Sequence, residues 1–173
     1  MCPSYLRIRL PLSTALGRFG AWIGLPELAP ARSVNAIKAV EEACDSSGGW
    51  RGVALFVHES DGWTVFDDLT GYLASVPAAR WAALAGRDEL IFAGYNDSVP
   101  YGQLIAVRSG SVVREFLEDL QDPRQNVNRG RFDFERDSPI DDWIAAASFV
   151  DGDDLADAGA ADGLLWLFRR ATL

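Results

Sequence analysis

The sequence predicts an α+β fold, a single domain over 1–173 in which a mostly antiparallel sheet carries helices packed on one side. Three observations predict it. Short apolar runs are separated by Asp61-Gly62 and Ser109-Gly110, dipeptides that suit the positive φ angles of tight hairpin turns. Two other stretches repeat their apolar residues at helical rather than alternating spacing. Finally, 173 residues of which 49% are hydrophobic suffice for one core; a chain of this length buries roughly 70% of its unfolded surface.

Tyr5-Leu6-Arg7-Ile8-Arg9-Leu10 alternates and reads as an opening strand. Residues 25–30 hold two prolines and read as a connection. Ser33 can cap a helix that aligns Val34, Ile37, Val40 and Cys44, and Ser46-Ser47-Gly48-Gly49 stops it. Val53 to Val57 reads as a buried strand, which turns through Asp61-Gly62 into Trp63-Thr64-Val65-Phe66.

Pro77 to Ala85 reads as a short helix with Trp81 and Leu84 inward, ended by Gly86. Leu90 to Ala93 is the next strand, and 103–107 pairs with 112–116 through Ser109-Gly110. Polar residues interrupt both of those strands, so the pattern leaves their register open. The polar stretch 120–130 reads as a loop. Ser138-Pro139-Ile140-Asp141 opens a helix whose apolar face is Ile140, Trp143, Ile144 and Ala147. Asp141 and Asp142 stand at the positive end of its dipole, and Asp151 to Asp154 ends it. Leu164 to Phe168 is an apolar tail that should dock on the body.

Composition narrows the function. The formal net charge is −9, a field that repels phosphates and anionic membranes and attracts basic partners. Neither a nucleic acid nor a membrane is therefore expected as partner. Two cysteines without a C-x-x-C spacing suit a reducing compartment. With no basic-then-apolar signal at the start and no apolar run of spanning length, a cytoplasmic location is expected.

Recognisable chemistry is sparse. His58 is the single histidine; it could serve as a base, but a base needs a partner within hydrogen-bond reach, and a histidine at a strand end is more often simply tolerated. No nucleophile elbow, phosphate-binding glycine loop or zinc spacing is present. Asp151-Gly152-Asp153-Asp154 fails as a calcium loop, because Leu155 and Ala156 stand where an oxygen ligand and glycine are needed. Arg124, Arg129, Arg131 and Arg136 form a basic island, better used to pair with the protein's own acids than to hold phosphate. No catalytic residue, metal site or cofactor is expected.

What remains is a set of aromatic and acidic residues near turns: Trp63, Asp67 and Asp68; Tyr95, Asp97 and Tyr101; Glu118, Asp119 and Asp122. Aromatics carry interface energy and acids steer a basic partner, which makes these the candidate partner-binding residues. The plainer alternative is that Trp63 is core and the acids are solvated surface.

Gly94-Tyr95-Asn96-Asp97, Tyr101-Gly102, Val112-Val113-Arg114-Glu115-Phe116-Leu117, Asn126-Val127-Asn128-Arg129-Gly130 and Asp142-Trp143 together resemble the immunity-type proteins of bacterial polymorphic toxin systems. The similar stretch covers 94–150 and lies in texture and spacing rather than a strict signature. The resemblance implies a cytoplasmic inhibitor that binds and neutralises one cognate toxin domain, a basic one by charge. Two rivals stand beside it. One is a hydrolase-type enzyme using Asp67, Asp97 or Glu115 in a cleft. The other is a small-ligand module whose cleft is lined by Tyr95 and Tyr101.

Overall fold

Alternation at the N-terminus becomes β1 (Ser4–Ile8), and the run around Leu55 becomes β3 (Gly52–Ser60). The computed structural model describes residues 4–24, 28–30, 52–68, 73, 76–96, 101–136, 139, 142 and 164–169. Within them lie α1 (Leu12–Ile23), β2 (Leu28–Pro30), β4 (Trp63–Asp68), α2 (Ala78–Ala85), β5 (Leu90–Asn96), β6 (Tyr101–Arg108), β7 (Ser111–Asp119), β8 (Val127–Arg129) and β9 (Leu164–Arg169). A single turn of 3₁₀ helix occupies Pro123–Gln125. The strands form one sheet in the order β2-β9-β3-β4-β1-β5-β6-β7-β8, and each pairing is antiparallel.

The two hairpins form where the dipeptides demand them. Asp61 and Ser109 each take φ of 51°, followed by Gly62 at 79° and Gly110 at 80°. Positive φ at both central positions matches the twist of the strands they join. In the β6–β7 hairpin the register shifts between Ala106 and Val107. That bulge is why alternation alone leaves the pairing open.

One face of the sheet carries the apolar core. Leu6, Ile8, Leu55, Val57, Phe66, Leu90, Phe92, Ile105 and Val107 are buried there. Both helices lie on it, as expected for this α+β class: Phe19 of α1 stacks on Phe66 at 4.9 Å, and Trp81 of α2 stacks on Phe92 at 4.4 Å. Trp22 and Trp81 join the helices at 5.0 Å. Arg18 of α1 donates to the Ala85 carbonyl at 3.0 Å and to Asp88 at 2.7 Å, placing a cation at the negative end of α2.

The structure adds elements that the sequence reading left as coil. Nothing was assigned to residues 11–24, yet α1 forms there. Its buried residues are Ala15, Leu16, Phe19 and Gly20, a helical stripe interrupted by glycine. It begins after Pro11 with no side-chain cap, so the usual start signal is missing. The supposed connection 25–30 contributes β2, and the loop 120–130 contributes the 3₁₀ turn and β8. The C-terminal tail is a full strand, β9, inserted between β2 and β3. Pro139 and Asp142 are helical at the start of the expected last helix. The rest of that helix, the helix expected over 33–44 and the acidic stretch 151–154 lie outside the described residues.

Candidate functional site

Register gathers most of the proposed partner-binding residues at one end of β5, β6 and β7. Tyr101 pairs with Asp119 and Gly102 with Glu118, while across β5 Tyr95 pairs with Gly102. The chain beyond β7 is held in a fixed turn by the acids themselves. Asp119 Oδ1 accepts from the N–H of Gln121 at 2.7 Å and of Asp122 at 3.1 Å. Asn126 Oδ1 in turn accepts from the Asp119 N–H at 2.7 Å. Such side-chain-to-backbone bonds substitute for a strand ladder and stop β7.

Asp122 is partly exposed and accepts from Gln125 at 3.0 Å and Arg124 at 2.9 Å. Those bonds, Gln125's first and then Arg124's, hold its carboxyl below the usual 3.8. It therefore stays negative throughout the physiological range. Glu118 points to solvent, and Leu120 stands between the acids with 61% of its surface exposed. Tyr101 is half-buried against the helix-side core; burial first, and the Asp119 charge second, push its hydroxyl above 10.0, so it remains a donor. The end of the hairpin thus carries the Tyr101 phenol, Asp119, Asp122 with Arg124 beside it, and the exposed Leu120, while Glu118, one position before Asp119 in β7, belongs to the opposite face of the sheet.

Other expected members lie elsewhere. Asp67 and Asp68 are 2% and 4% exposed, which removes them from any surface. The reason is the position of β4, an inner strand with both faces covered. Asp68 instead accepts the Leu73 N–H at 2.7 Å on the helix face. Trp63 sits at the opposite end of the sheet, half-buried, with the guanidinium carbons of Arg9 and Arg7 at 4.7 and 5.4 Å from its ring. Tyr95 is in β5, and Asp97 lies outside the described residues.

The rival readings meet the register. Following Asp67 through Tyr5, Ala93 and Leu104 leads to Phe116, so Glu115 belongs to the opposite face of the sheet. Asp67 and Glu115 cannot share a site. Tyr95 and Tyr101 pair with Gly102 and Asn96, successive positions that belong to opposite faces. His58 does meet a carboxylate: its Nε2 is 3.3 Å from Asp67 Oδ2. The hairpin turn could have revealed this contact, since counting back from Ser60↔Trp63 puts His58 and Asp67 on one face.

Sequence reasoning also missed a buried ion pair. Arg114 Nε and Nη2 donate to the two Glu135 oxygens at 2.8 and 2.7 Å, with both side chains fully buried. Arg114 Nη1 donates to Asn128 Oδ1 at 2.8 Å and the Arg129 carbonyl at 2.9 Å, so the arginine fastens 128–135 over β7.

Among the described residues no group of three His, Cys, Asp or Glu is placed to hold a metal, and no helix is long and apolar enough to cross a membrane. Comparisons with family models, characterised proteins and solved structures gave no match to the chain.

Proposed function

We propose that this chain is an immunity-type binding protein that holds a basic partner, the toxic domain of a bacterial toxin, through the tip formed by Tyr101, Glu118, Asp119, Leu120 and Asp122. The observation that carries the reading is the exposed Leu120 in a turn between Asp119 and Asp122 that is already fixed by its own hydrogen bonds. A preorganised tip loses little entropy on binding. An apolar anchor ringed by charge is the arrangement that concentrates interface energy. Acidic side chains speed the encounter with a basic surface. The resemblance of 94–150 to immunity-type proteins covers the same segment. On this reading the protein acts in the cytoplasm, beside the toxin it neutralises, and performs no chemistry itself.

The test is binding to the protein encoded by the adjacent gene, measured by titration calorimetry and by association kinetics at rising salt. Glu118→Arg should slow association about 10-fold at low salt. Leu120→Asp should speed dissociation, with an affinity loss of about 10-fold or more. A neighbour that binds with salt-independent kinetics, or binds both variants as well as the parent, refutes the assignment of this tip.

A further inference from the structure

The sheet face turned away from α1 and α2 ends, on the Trp63 side, in a continuous row of partly exposed side chains. Arg7 pairs with Val65, and Arg9 and Trp63 lie two residues from these, so all share that face. Arg7 also pairs with Ile91 and Ile91 with Ala106, and Arg108 lies two residues beyond Ala106. The side chains touch in order across the strands. The Arg9 guanidinium carbon is 4.7 Å from the centre of the Trp63 ring, and Arg9 Nε is 3.0 Å from Glu89 Oε2. Arg108 Nε approaches Glu89 Oε1 at 3.7 Å, and its guanidinium carbon is 5.3 Å from the Phe132 ring. Phe134, 46% exposed, lies 5.8 Å from Phe132 and closes the row.

Two arginines thus share one carboxylate. A contact of 3.7 Å is too long for a hydrogen bond, so Arg108 has no acceptor of its own among the described residues. Both arginine side chains stay more than half exposed, at 56% and 54%. Acids on the adjoining segments are engaged elsewhere: Glu59 accepts from the Leu12 N–H at 3.1 Å, and Asp88 from Arg18 at 2.7 Å. Arg7 also lies against Trp63, so three guanidiniums meet Glu89 and, beside the phenylalanines, Asp133. The row is therefore positive on a chain whose net charge is −9. Arginine, tryptophan and phenylalanine are the residues that interfaces concentrate. A guanidinium stacked on a ring is oriented before a partner arrives, which lowers the entropy lost on contact.

We propose that this row is a docking surface for an acidic segment of a second protein, separate from the basic partner of the tip. Arg9 and Arg108 turn planar forks of donors toward solvent, the geometry that a carboxylate matches. Glu89 holds the two forks side by side without using all their donors. The Phe132–Phe134 end meets an apolar side chain of the same segment. The long-range negative field slows the approach of such a partner, but it is screened beyond about 8 Å at physiological salt, and contact is governed by the local charges.

The experiment titrates the full chain with an acidic probe, a hexapeptide of five glutamates and one phenylalanine, and follows the arginine Nε–H and tryptophan Nε1–H signals by NMR. Saturable shifts are expected at Arg9, Arg108 and Trp63, with Arg124, which is 90% exposed and far along the chain, as the internal control. Arg108→Gln should raise the half-saturating concentration about 5-fold. Shifts at Arg108 that match those at Arg124, or that a lysine hexapeptide produces equally, mean a mere ionic atmosphere and overturn the proposal. Sedimentation of the chain alone runs beside it. A dimer that Arg108→Gln breaks would assign the row to a second copy, which also overturns it. If Arg108→Gln does not fold, the wild-type titration against its internal control decides.

Discussion

Replacing Glu135 by alanine is the sharpest test of how the chain beyond β7 is held. Arg114 is completely buried and gives two of its donors to the Glu135 carboxylate at 2.8 and 2.7 Å. Removing the carboxylate leaves Nε and Nη2 buried without their acceptor, with the guanidinium carbon 5.6 Å from the Phe116 ring. The bonds from Nη1 to Asn128, to the Arg129 carbonyl and to the Glu115 carbonyl persist, so the arginine cannot simply swing out. Breaking a buried pair from one side costs about 3–5 kcal/mol, because the surviving charge stays desolvated. For a domain of this size each kcal/mol moves Tm by about 2–4 °C, so a fall of roughly 6–20 °C is expected by calorimetry or circular dichroism. The double variant Arg114→Met with Glu135→Met should recover part of the loss, since apolar side chains remove the stranded charge, while the bonds of Nη1 and of the Phe132 N–H stay lost. A loss below about 1 kcal/mol for Glu135→Ala would mean that the pair behaves like a solvated surface bridge, and the reasoning would fail.

Two further outcomes follow from single contacts. Gly130 has φ of +68°, and a Cβ there would lie 1.9 Å from the Val113 carbonyl oxygen, so Gly130→Ala should cost several kcal/mol in urea unfolding, of the order seen when backbone must shift. Asp68→Ala removes the acceptor for the buried Leu73 N–H and should cost about 1–3 kcal/mol by the same measurement, with Asp68→Asn recovering part of it.

How much of this was legible depends on whether a signal was local. Both hairpin turns were readable, because Asp61-Gly62 and Ser109-Gly110 state a backbone requirement in two residues. Trp81 and Leu84 were read as the inward face of α2, and both are buried. The first helix was not read: Pro11 gives no side-chain cap, and Gly17 and Gly20 weaken a stripe that is otherwise plain. Tyr101, Glu118 and Asp119, singled out by residue type, lie at one end of the β6–β7 pairing, and Asp122 lies in the turn that follows. Asp67 and Asp68 were misjudged because an acidic pair at a strand end resembles a solvated exit in one dimension.

By itself, then, the sequence determined the strand-and-turn grammar, the α+β class and the excess of acid, since each depends on neighbours within a few residues. Only the tertiary structure decided which strands are inner, and hence which acids are buried. It placed the N-terminal strand between β4 and β5, and the C-terminal strand between β2 and β3. Long-range pairing of that kind rests on the apolar surface each strand removes from water when all are assembled, a quantity that no local window contains. The same assembly brings His58 to Asp67 and Arg114 to Glu135.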